Sequence, residues 1–355
     1  MTAFRWGILG AGPLARKFAA GLRATRIPAV VSAVASRDPG NAQRFAAELG
    51  ARADTYERLI AAGGVDAVYL ATPPAVHADQ AQACLAAGLP VLVEKPFAPD
   101  AATAARIAEA AAQAGVFAME GMWTRFLPAL AEVRARIEAG DLGELHSCSG
   151  SFAIADLYSA TDGNFDPVTG GALLHRGVYP LSLARHLLGP VVQVSGQLRR
   201  SSTSSSVDED VVAVLQHRSG ALSQVHASLV SSARNDLVLL GSRARIELEP
   251  PIYRPGGLRL VATPPRARTR TTAAGSGGWR ERPAVQAMQQ RLIGPKRVLR
   301  PPGHRIRTPY AGNGYTHEAD AVMDAVRQGR TEHPLMPLAE SVQVMELIDR
   351  LRGVG

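Results

Sequence analysis

Cysteine is scarce in this chain: only Cys84 and Cys148 occur among its 355 residues, far apart in the sequence. Two isolated cysteines exclude a disulfide framework and a Cys-x-x-Cys metal cluster. We therefore predict two buried, free thiols in a reducing compartment. Clusters of His, Cys, Asp and Glu at metal-ligand spacing are absent as well, so we predict no metal site.

Long apolar runs are also absent. A membrane-spanning helix needs roughly 18 to 20 consecutive apolar residues, and no segment of this sequence approaches that length. The first strand-like segment, FRWGILG, is not preceded by the basic and apolar regions of a secretion signal. These absences predict a cytoplasmic protein without a membrane partner.

Acidic residues are nearly missing from one region, 266–307, which carries eleven Lys or Arg residues and one acid, Glu281. The whole chain has a formal net charge of +8, so this region accounts for the basicity. Residues 264–312 are rich in Pro, Gly, Ser, Thr and Arg, which predicts a long loop with at most one helix, at 283–293. Such a loop either binds phosphates or acids of a partner or is merely solvated. No nucleic-acid reader motif accompanies it, so we predict no nucleic-acid binding.

Short apolar runs alternate with longer Ala-rich amphipathic runs from residue 4 to about residue 118. This alternation predicts a doubly wound parallel sheet with helices on both faces. The predicted strands are FRWGILG, AVVSAVAS, VDAVYLAT, PVLVEKP and GVFAMEGMW, and the predicted helices are 13–24, 39–49, 75–87, 100–114 and 128–139.

After residue 144 the pattern changes to strands of period two, which predicts an α+β region with a large, mostly antiparallel sheet. Segment 170–189 supplies a helix for one face, and the open second face is a natural homodimer surface. Two helices, 314–328 and 337–352, end the chain. The predicted strands are LHSCSGSFAI, VQVSGQLR, EDVVAVLQHR, ALSQVHASLV, DLVLLG, ARIELE and LRLVA.

The segment WGILGAGPLARKFAAGL places a G-x-G-x-x-A pattern between a strand and a helix. Gly10 permits a tight turn, Gly12 lets the backbone approach a pyrophosphate, and the small Ala15 lets the helix pack closely on the sheet. A plain strand–turn–helix corner is the alternative, but the pattern opens a βαβ unit, where it typically binds a dinucleotide. We predict a Rossmann domain over 1–122, a substrate and oligomerisation domain over 123–355, and cofactor contacts from Gly10, Ala11, Gly12, Pro13 and Leu14.

The end of the second strand reads ASRD, with Ser36 and Arg37 where NAD-binding proteins carry an acid for the ribose hydroxyls. A hydroxyl and a guanidinium suit a 2′-phosphate, so NADP(H) is favoured over NAD(H). A one-residue shift would present Asp38 instead; its alternative role is a cap on the next helix.

VLVEKPFA places Glu94 and Lys95 at the carboxyl end of a strand, where open α/β sheets bind ligands. A lysine there is either a surface residue whose amine reaches solvent or a functional group. The position favours a functional lysine.

These motifs, together with ATPPAVHADQAQACLAAGLPVLVEKP, MEGMWTRFLPAL, FDPVTGGALLHRGVYPLSLARHLLG and the C-terminal GNGYTHEADAVMDAVRQG, resemble the Gfo/Idh/MocA oxidoreductases. The similar branch holds glucose-fructose oxidoreductase, dimeric dihydrodiol (D-xylose) dehydrogenase and ketosugar reductases. The resemblance covers nearly the whole chain except the basic loop.

The resemblance implies a role for each matching residue. Lys95 would bind the reacting oxygen and assist proton transfer, and Tyr179 would donate or accept the proton. The implied cofactor residues are Thr72, Pro73, His77, Glu94, Lys95, Trp123 and Arg125, and Trp123 and Tyr179 would also contact substrate.

The chain departs from the family pattern G-G-G-x-L-x-D-x-G-x-Y/H, because Thr169 replaces the first glycine and His175 replaces the aspartate. If the segment is helical, His175 and Tyr179 share a face and both point at Lys95. His175 is either a proton relay with an ordinary pKa or a core residue of a diverged, inactive member. Arg176 either binds an anionic substrate group or forms a surface pair.

The resemblance implies an NADP(H)-dependent oxidoreductase that transfers a hydride to or from a secondary alcohol or ketone of a sugar, cyclitol or dihydrodiol. The alternative is a catalytically silent NADP-binding regulator of the same fold. A homodimer or higher oligomer through the C-terminal sheet is expected.

Overall fold

A computed structural model describes residues 2–159, 162–201, 207–263, 282–288 and 303–353. The first half of the chain forms a six-stranded parallel sheet in the order β3-β2-β1-β4-β5-β6. Its strands are β1 Phe4–Leu9, β2 Ala29–Ala35, β3 Arg52–Asp54, β4 Ala67–Leu70, β5 Val91–Glu94 and β6 Ala118–Gly121, and its helices are α1 Pro13–Gly21, α2 Pro39–Leu49, α3 Tyr56–Ala62, α4 His77–Ala86 and α5 Ala101–Ala114.

The strand order reverses between β1 and β4, so the carboxyl ends of these strands open a crevice where ligands bind in such sheets. The strands β4, β5 and β6 are buried along their whole length, because helices cover both faces of the sheet. The sequence pattern missed β3 and α3. Both are short and largely exposed, so they carry little apolar periodicity.

Helix α6 Pro128–Glu138 leads into an eight-stranded sheet in the order β14-β13-β12-β11-β7-β10-β9-β8. The pair β7 and β10 is parallel, and the other neighbouring pairs are antiparallel. The strands are β7 Leu145–Ala153, β8 Val191–Arg200, β9 Asp208–His217, β10 Leu222–Ser228, β11 Leu237–Gly241, β12 Ala244–Leu248, β13 Gly257–Ala262 and β14 His304–Arg307. The predicted two-sheet fold class is confirmed.

One face of the second sheet is covered by α7 Val178–Leu188, which is buried along nearly its whole length. A wider turn of five residues, Leu173–Gly177, leads into this helix. The opposite face carries exposed apolar side chains that alternate with buried ones: Val212, Val214 and Leu222 are 47–50% exposed.

The strand β14 corrects the sequence prediction that 264–312 is a loop. Its backbone pairs with β13 at the sheet edge, and the basic side chains point outward. Its residues HRIR lack the apolar alternation that identifies a strand. Residues 283–288 are helical (α8); the rest of the predicted helix at 283–293 lies outside the described residues.

The last two helices, α9 Tyr315–Arg327 and α10 Leu338–Arg352, contact the first sheet and its helices. The Thr316 hydroxyl donates a 2.9 Å hydrogen bond to the carbonyl of Gly21, and Asp349 accepts one of 2.8 Å from the backbone of Ala101 at the start of α5. The end of the chain therefore helps to build the crevice of the N-terminal sheet. The domain boundary at residue 122 stays a prediction.

The two cysteines are buried and unpaired, as predicted, and burial raises the pKa of each thiol to about 12. Among the described residues, no helix is both long and apolar enough to cross a membrane.

Candidate functional site

The turn after β1 is shaped for a close approach of another molecule. Gly10 has a φ of +107°, and a side chain there would begin 2.5 Å from the carbonyl oxygen of Ala71. Gly12 precedes α1, and a side chain at Gly12 would enter open space. The first turn of α1 starts with Pro13 and has neither a side-chain cap nor an acidic residue, so its backbone amides lack an intrahelical partner. This geometry fits the pyrophosphate of a dinucleotide.

The segment after β2 presents the exposed side chain of Arg37. The backbone amide of Arg37 donates a 3.0 Å hydrogen bond to the hydroxyl of Tyr56. Ser36 lies beside it and accepts a 3.3 Å hydrogen bond from the amide of Asp38. The carboxylate of Asp38 caps α2, with a bond of 2.8 Å from the amide of Gly40. Asp38 is therefore a helix cap, the alternative to a cofactor contact. The guanidinium of Arg37 remains exposed and could contact a 2′-phosphate.

Lys95 follows β5 and lies deep in the protein, although part of its side chain remains accessible, as expected for a residue at the floor of a cleft. Its ammonium nitrogen lies 5.4 Å from the ring centre of Tyr179. Burial lowers the pKa of Lys95, and the carboxyl groups of Glu94 and Glu120 partly oppose that change. A lysine in this setting loses its proton more readily than one in water.

Tyr179 lies in the first turn of α7 among other aromatic side chains. Its hydroxyl accepts a 3.4 Å hydrogen bond from the indole nitrogen of Trp123, and its ring meets that of Phe152 edge to face at 5.3 Å. Phe152 in turn stacks on Tyr253 at 5.0 Å. Burial raises the pKa of the Tyr179 phenol, so it is a neutral donor at physiological pH.

Trp123 is held by the C-terminal region. Its indole stacks on Tyr315 with ring centres 5.1 Å apart and an angle of 10° between the planes. Gly314 makes this contact possible, because a side chain there would begin 2.1 Å from the indole. The hydroxyl of Tyr315 donates a 3.3 Å hydrogen bond to the carboxylate of Glu94, which also accepts one of 2.8 Å from Tyr69.

The turn after β4 holds Thr72, Pro73 and His77. The Thr72 hydroxyl donates a 2.6 Å hydrogen bond to Gln80, and Pro73 is exposed at the crevice edge. Both ring nitrogens of buried His77 face backbone carbonyls, those of Thr72 at 2.8 Å and Phe97 at 3.3 Å. The predicted cofactor contact of His77 is therefore wrong: its ring links this turn to the segment after Lys95.

Arg125 corrects another predicted cofactor contact. Its side chain is 0% exposed, forms an ion pair with Glu340, and donates to the hydroxyl and carbonyl of Ser182 and to the carbonyl of Leu335. With its guanidinium surrounded by α7 and α10, Arg125 cannot reach a cofactor. It fixes the segment that carries Trp123.

His175 contacts the other residue that departs from the family pattern. Its Nε2 lies 2.8 Å from the carbonyl of Thr169, while the Thr169 hydroxyl and amide donate to Asp166 at 2.9 and 2.7 Å. Because a carbonyl only accepts, Nε2 carries the proton and Nδ1 holds the lone pair. Burial, reinforced by the charge of Lys95, lowers the pKa of His175 to about 3. The prediction of an ordinary pKa is therefore wrong, and the imidazole is neutral.

Arg176 is neither a surface residue nor free for a substrate anion. It is 6% exposed, pairs with Asp156, and donates to the carbonyls of Ile154 and Ser228. The ion pair expected as one alternative forms, with Asp156, but at a buried position, where the guanidinium anchors the loop after β7 to the end of β10.

The pattern of the sequence missed four residues that the fold brings to this site: Glu120, Tyr253, Tyr315 and Glu318. A carboxyl group in the apolar strand AMEG was a usable signal for Glu120. The glycines of GNGY signalled the unusual backbone before Tyr315. Tyr253 and Glu318 carried no local signal.

Comparison with known proteins agrees with this arrangement. Residues 4–122 match the oxidoreductase family with an NAD-binding Rossmann fold, and residues 130–247 match the GFO/IDH/MocA C-terminal domain. The chain belongs to the Gfo/Idh/MocA oxidoreductase family.

Its relatives in the Gfo/Idh/MocA family include named enzymes. Trans-1,2-dihydrobenzene-1,2-diol dehydrogenase of Bos taurus is 29% identical over 357 residues, 99% of this chain and 96% of that protein. The dTDP-3,4-didehydro-2,6-dideoxy-alpha-D-glucose 3-reductase of Streptomyces antibioticus is 31% identical over 278 residues, 74% of this chain and 84% of that protein. These relatives identify the chain as an oxidoreductase that acts on CH–OH groups.

A solved structure shares the fold. A 3-ketoreductase from Actinomadura kijaniata, crystallised with NADP and TDP-benzene, superimposes with a TM-score of 0.78 over 99% of this chain and 98% of its own, at 24% identity.

Proposed function

We propose that the protein is an NADP(H)-dependent oxidoreductase that transfers a hydride between nicotinamide and a secondary alcohol or ketone of a sugar, cyclitol or dihydrodiol. The observation that carries the proposal is the pairing of buried Lys95 with the ring of Tyr179, 5.4 Å away, at the carboxyl edge of the parallel sheet. Relatives named as a dihydrodiol dehydrogenase and a ketosugar reductase support the substrate class.

Lys95 and Tyr179 supply the proton chemistry. When bound, the nicotinamide donates or accepts the hydride at the carbinol carbon. In reduction, the carbonyl oxygen gains a proton as the carbon gains the hydride; Tyr179 is a neutral phenol that can donate it, and Lys95 can replace it from its ammonium. In oxidation the same groups accept the proton. Trp123, which donates to the Tyr179 hydroxyl, orients the phenol toward the reacting oxygen.

The NADP(H) preference rests on Arg37. An exposed guanidinium beside the Ser36 hydroxyl suits a 2′-phosphate, and the capping bond of Asp38 occupies the carboxylate that would otherwise oppose it. The Gly10–Leu14 turn would hold the pyrophosphate on backbone amides. Thr72 and Pro73 would lie beneath the nicotinamide.

His175 has a defined place in this proposal. With Nε2 bonded to Thr169, the lone pair on Nδ1 can accept a hydrogen bond from Lys95 or substrate. The neutral ring therefore acts as a hydrogen-bond acceptor and not as a protonated imidazolium that donates a proton. The regulator alternative requires instead that this substitution ended turnover while cofactor binding was kept.

The exposed face of the second sheet supports a homodimer. Val212 and Val214 on β9 and Leu222 on β10 are exposed apolar side chains of this face. We expect a dimer by sedimentation velocity and a monomer for Val214→Glu; a monomeric parent would contradict this part of the proposal. A cytoplasmic location belongs to the proposal as well.

The test is a panel of polyols, ketosugars and a trans-dihydrodiol, followed at the nicotinamide absorbance with NADP(H) and NAD(H). Lys95→Met and Tyr179→Phe should lose turnover, while Tyr158→Phe, at an exposed tyrosine, should retain it. Equal rates for the parent and both site variants would contradict the assigned chemistry. Tight NADPH binding without any turnover would favour the regulator.

A further inference from the structure

Glu318, on the first turn of α9, is the most completely buried acid of this region. Its side chain is 0% exposed, and both carboxyl oxygens lack a hydrogen-bond partner. A buried carboxylate without a partner is costly, whereas a neutral carboxylic acid is tolerated. Something must therefore keep the proton on this group.

Glu94 offers the complementary feature. One of its carboxyl oxygens accepts hydrogen bonds from Tyr69 and Tyr315, while the other, Oε2, is buried without a partner. Both acids lie against Gly121: the point where a Gly121 side chain would begin is 3.7 Å from Oε2 of Glu318 and 3.5 Å from the Cα of Glu94. Glu94 and Gly121 are paired in register across β5 and β6, so the missing side chain of Gly121 leaves room for the carboxyl group of Glu318 beside Glu94.

One of the two acids is the favoured site of the proton. Two carboxylates cannot hydrogen bond to one another, but a carboxylic acid can donate to a carboxylate. Burial raises the pKa of Glu94, and the charge of Lys95 and the two hydroxyl donors oppose that change, whereas Glu318 receives no donor. Negative charge on the neighbours raises the pKa of Glu318 further.

We propose that Glu318 is a protonated positioning residue, which donates a hydrogen bond to Glu94 and so keeps Glu94 ionised behind Lys95. The charge of Lys95 is then influenced, through Glu94, by a residue of α9. This inference rests on the proposed function for its kinetic consequence, but its protonation state can be tested without turnover. The titratable groups that face Glu318 from the packed elements are Glu94, Glu120, Tyr69, Tyr179 and Tyr315.

This cluster is not a cation site. Within the part of the chain that the structure describes, no group of three or more His, Cys, Asp or Glu residues has an arrangement that could hold a metal ion.

The first experiment is urea unfolding of the full chain between pH 5 and pH 8, with Glu318→Gln and Glu332→Gln compared with the parent. Glu332 is exposed, so its variant is the matched control. A carboxyl protonated only in the fold makes the parent lose stability relative to Glu318→Gln as pH rises, by up to about tenfold in the unfolding constant per pH unit. Glu332→Gln should follow the parent. A difference between Glu318→Gln and the parent that stays constant with pH would overturn the proposal.

The second experiment is the pH profile of kcat/KM for Glu318→Gln and Glu318→Leu. The amide can still donate to Glu94, so Glu318→Gln should stay within about threefold of the parent at pH 7. Leucine leaves Oε2 of Glu94 without a donor; Glu94 then takes up a proton and Lys95 loses its counter-charge. Glu318→Leu should lose about tenfold or more in kcat/KM. The part of the pH profile that reports the titration of Lys95 should move about one unit to lower pH.

A profile of Glu318→Leu that superimposes on that of the parent would overturn the positioning role. If the parent turns over no substrate, the proposed function fails, and the unfolding experiment still decides the protonation of Glu318. If Glu318→Leu does not fold, Glu318→Met, which also lacks a hydrogen-bond donor, is measured in its place.

Discussion

Two turns at the edge of the parallel sheet are built in opposite ways. The turn after β1 uses backbone alone: Gly10 and Gly12 clear the space, and the free amides of α1 supply the partial charge. The region around Lys95 uses side chains, nearly all buried, whose charges depend on one another. A backbone site is sensitive to added atoms, whereas a site of coupled charges is sensitive to lost protons. The two regions should therefore fail separately.

Tyr179→Phe should show the largest effect, confined to the reaction. Removal of the phenolic hydroxyl takes away the proton donor, so we expect kcat to fall by about 10²- to 10³-fold. The Kd for NADPH should stay within about twofold, because Tyr179 lies away from the Gly10 turn. Stopped-flow hydride transfer and fluorescence titration of NADPH measure the two quantities. A fall in affinity as large as that in kcat would show that the regions are not separate.

Gly12→Val should break the other region. Its side chain would enter the open space that a pyrophosphate needs, so we expect NADPH to bind about 10- to 100-fold more weakly with little change in stability. Gly10→Ala is the contrast: a Cβ 2.5 Å from the Ala71 carbonyl, at a φ of +107°, should destabilise the fold by about 1–3 kcal/mol. Titration calorimetry and thermal unfolding separate these outcomes, and equal losses of stability would refute the distinction.

Arg37→Ala should change cofactor preference by a smaller amount. Loss of one charge-assisted contact costs about 1.5–3 kcal/mol, so NADPH affinity should fall by about 10- to 100-fold, toward the lower end at this exposed site, while NADH affinity is unchanged. The ratio of the two dissociation constants is the measurement. An unchanged ratio would show that Arg37 does not contact the 2′-phosphate.

At pH 7 His175 should contribute the smallest effect, because its contribution to stability changes only as the pH falls. Its folded pKa of about 3 lies below the unfolded value of about 6.5, so the unfolded chain takes up a proton first as pH falls. Stability is therefore lost between about pH 6.5 and pH 3, by up to about 1.4 kcal/mol per pH unit. His175→Gln should reduce this slope by the share of one histidine, since His186, with its pKa also lowered by burial to about 3, keeps its own share, whereas His146→Gln, at an exposed position, should keep the slope of the parent. Parallel curves for all three proteins would contradict the buried neutral imidazole.

The backbone site was readable from the sequence because its requirements are local. The spacing of Gly10, Gly12 and Ala15 describes a turn that needs no distant partner. Both sheets were readable for the same reason, since apolar period and turn residues act over short segments. The strand His304–Arg307 was missed because its stability comes from pairing with β13 and not from its own residues.

The side-chain site was less readable because its partners are distant in sequence. The sequence around Arg125 does not indicate its partner Glu340, and the sequence around Arg176 does not indicate Asp156. These two cationic side chains were therefore predicted to contact a cofactor or a substrate, whereas each forms an ion pair with a carboxylate of the protein. Glu318 illustrates the reverse case: its importance arises from packing against the residue before Lys95, which only the folded chain reveals.

The most direct test of the central claim is a paired measurement on Lys95→Met: NADPH affinity and single-turnover hydride transfer in the same sample. If the backbone turn and the buried lysine act separately, NADPH should bind within about twofold of the parent while the rate falls by about 10³-fold. A variant that keeps the rate of the parent, or one that loses cofactor affinity in proportion to its rate, would contradict the assignment of Lys95 to proton transfer.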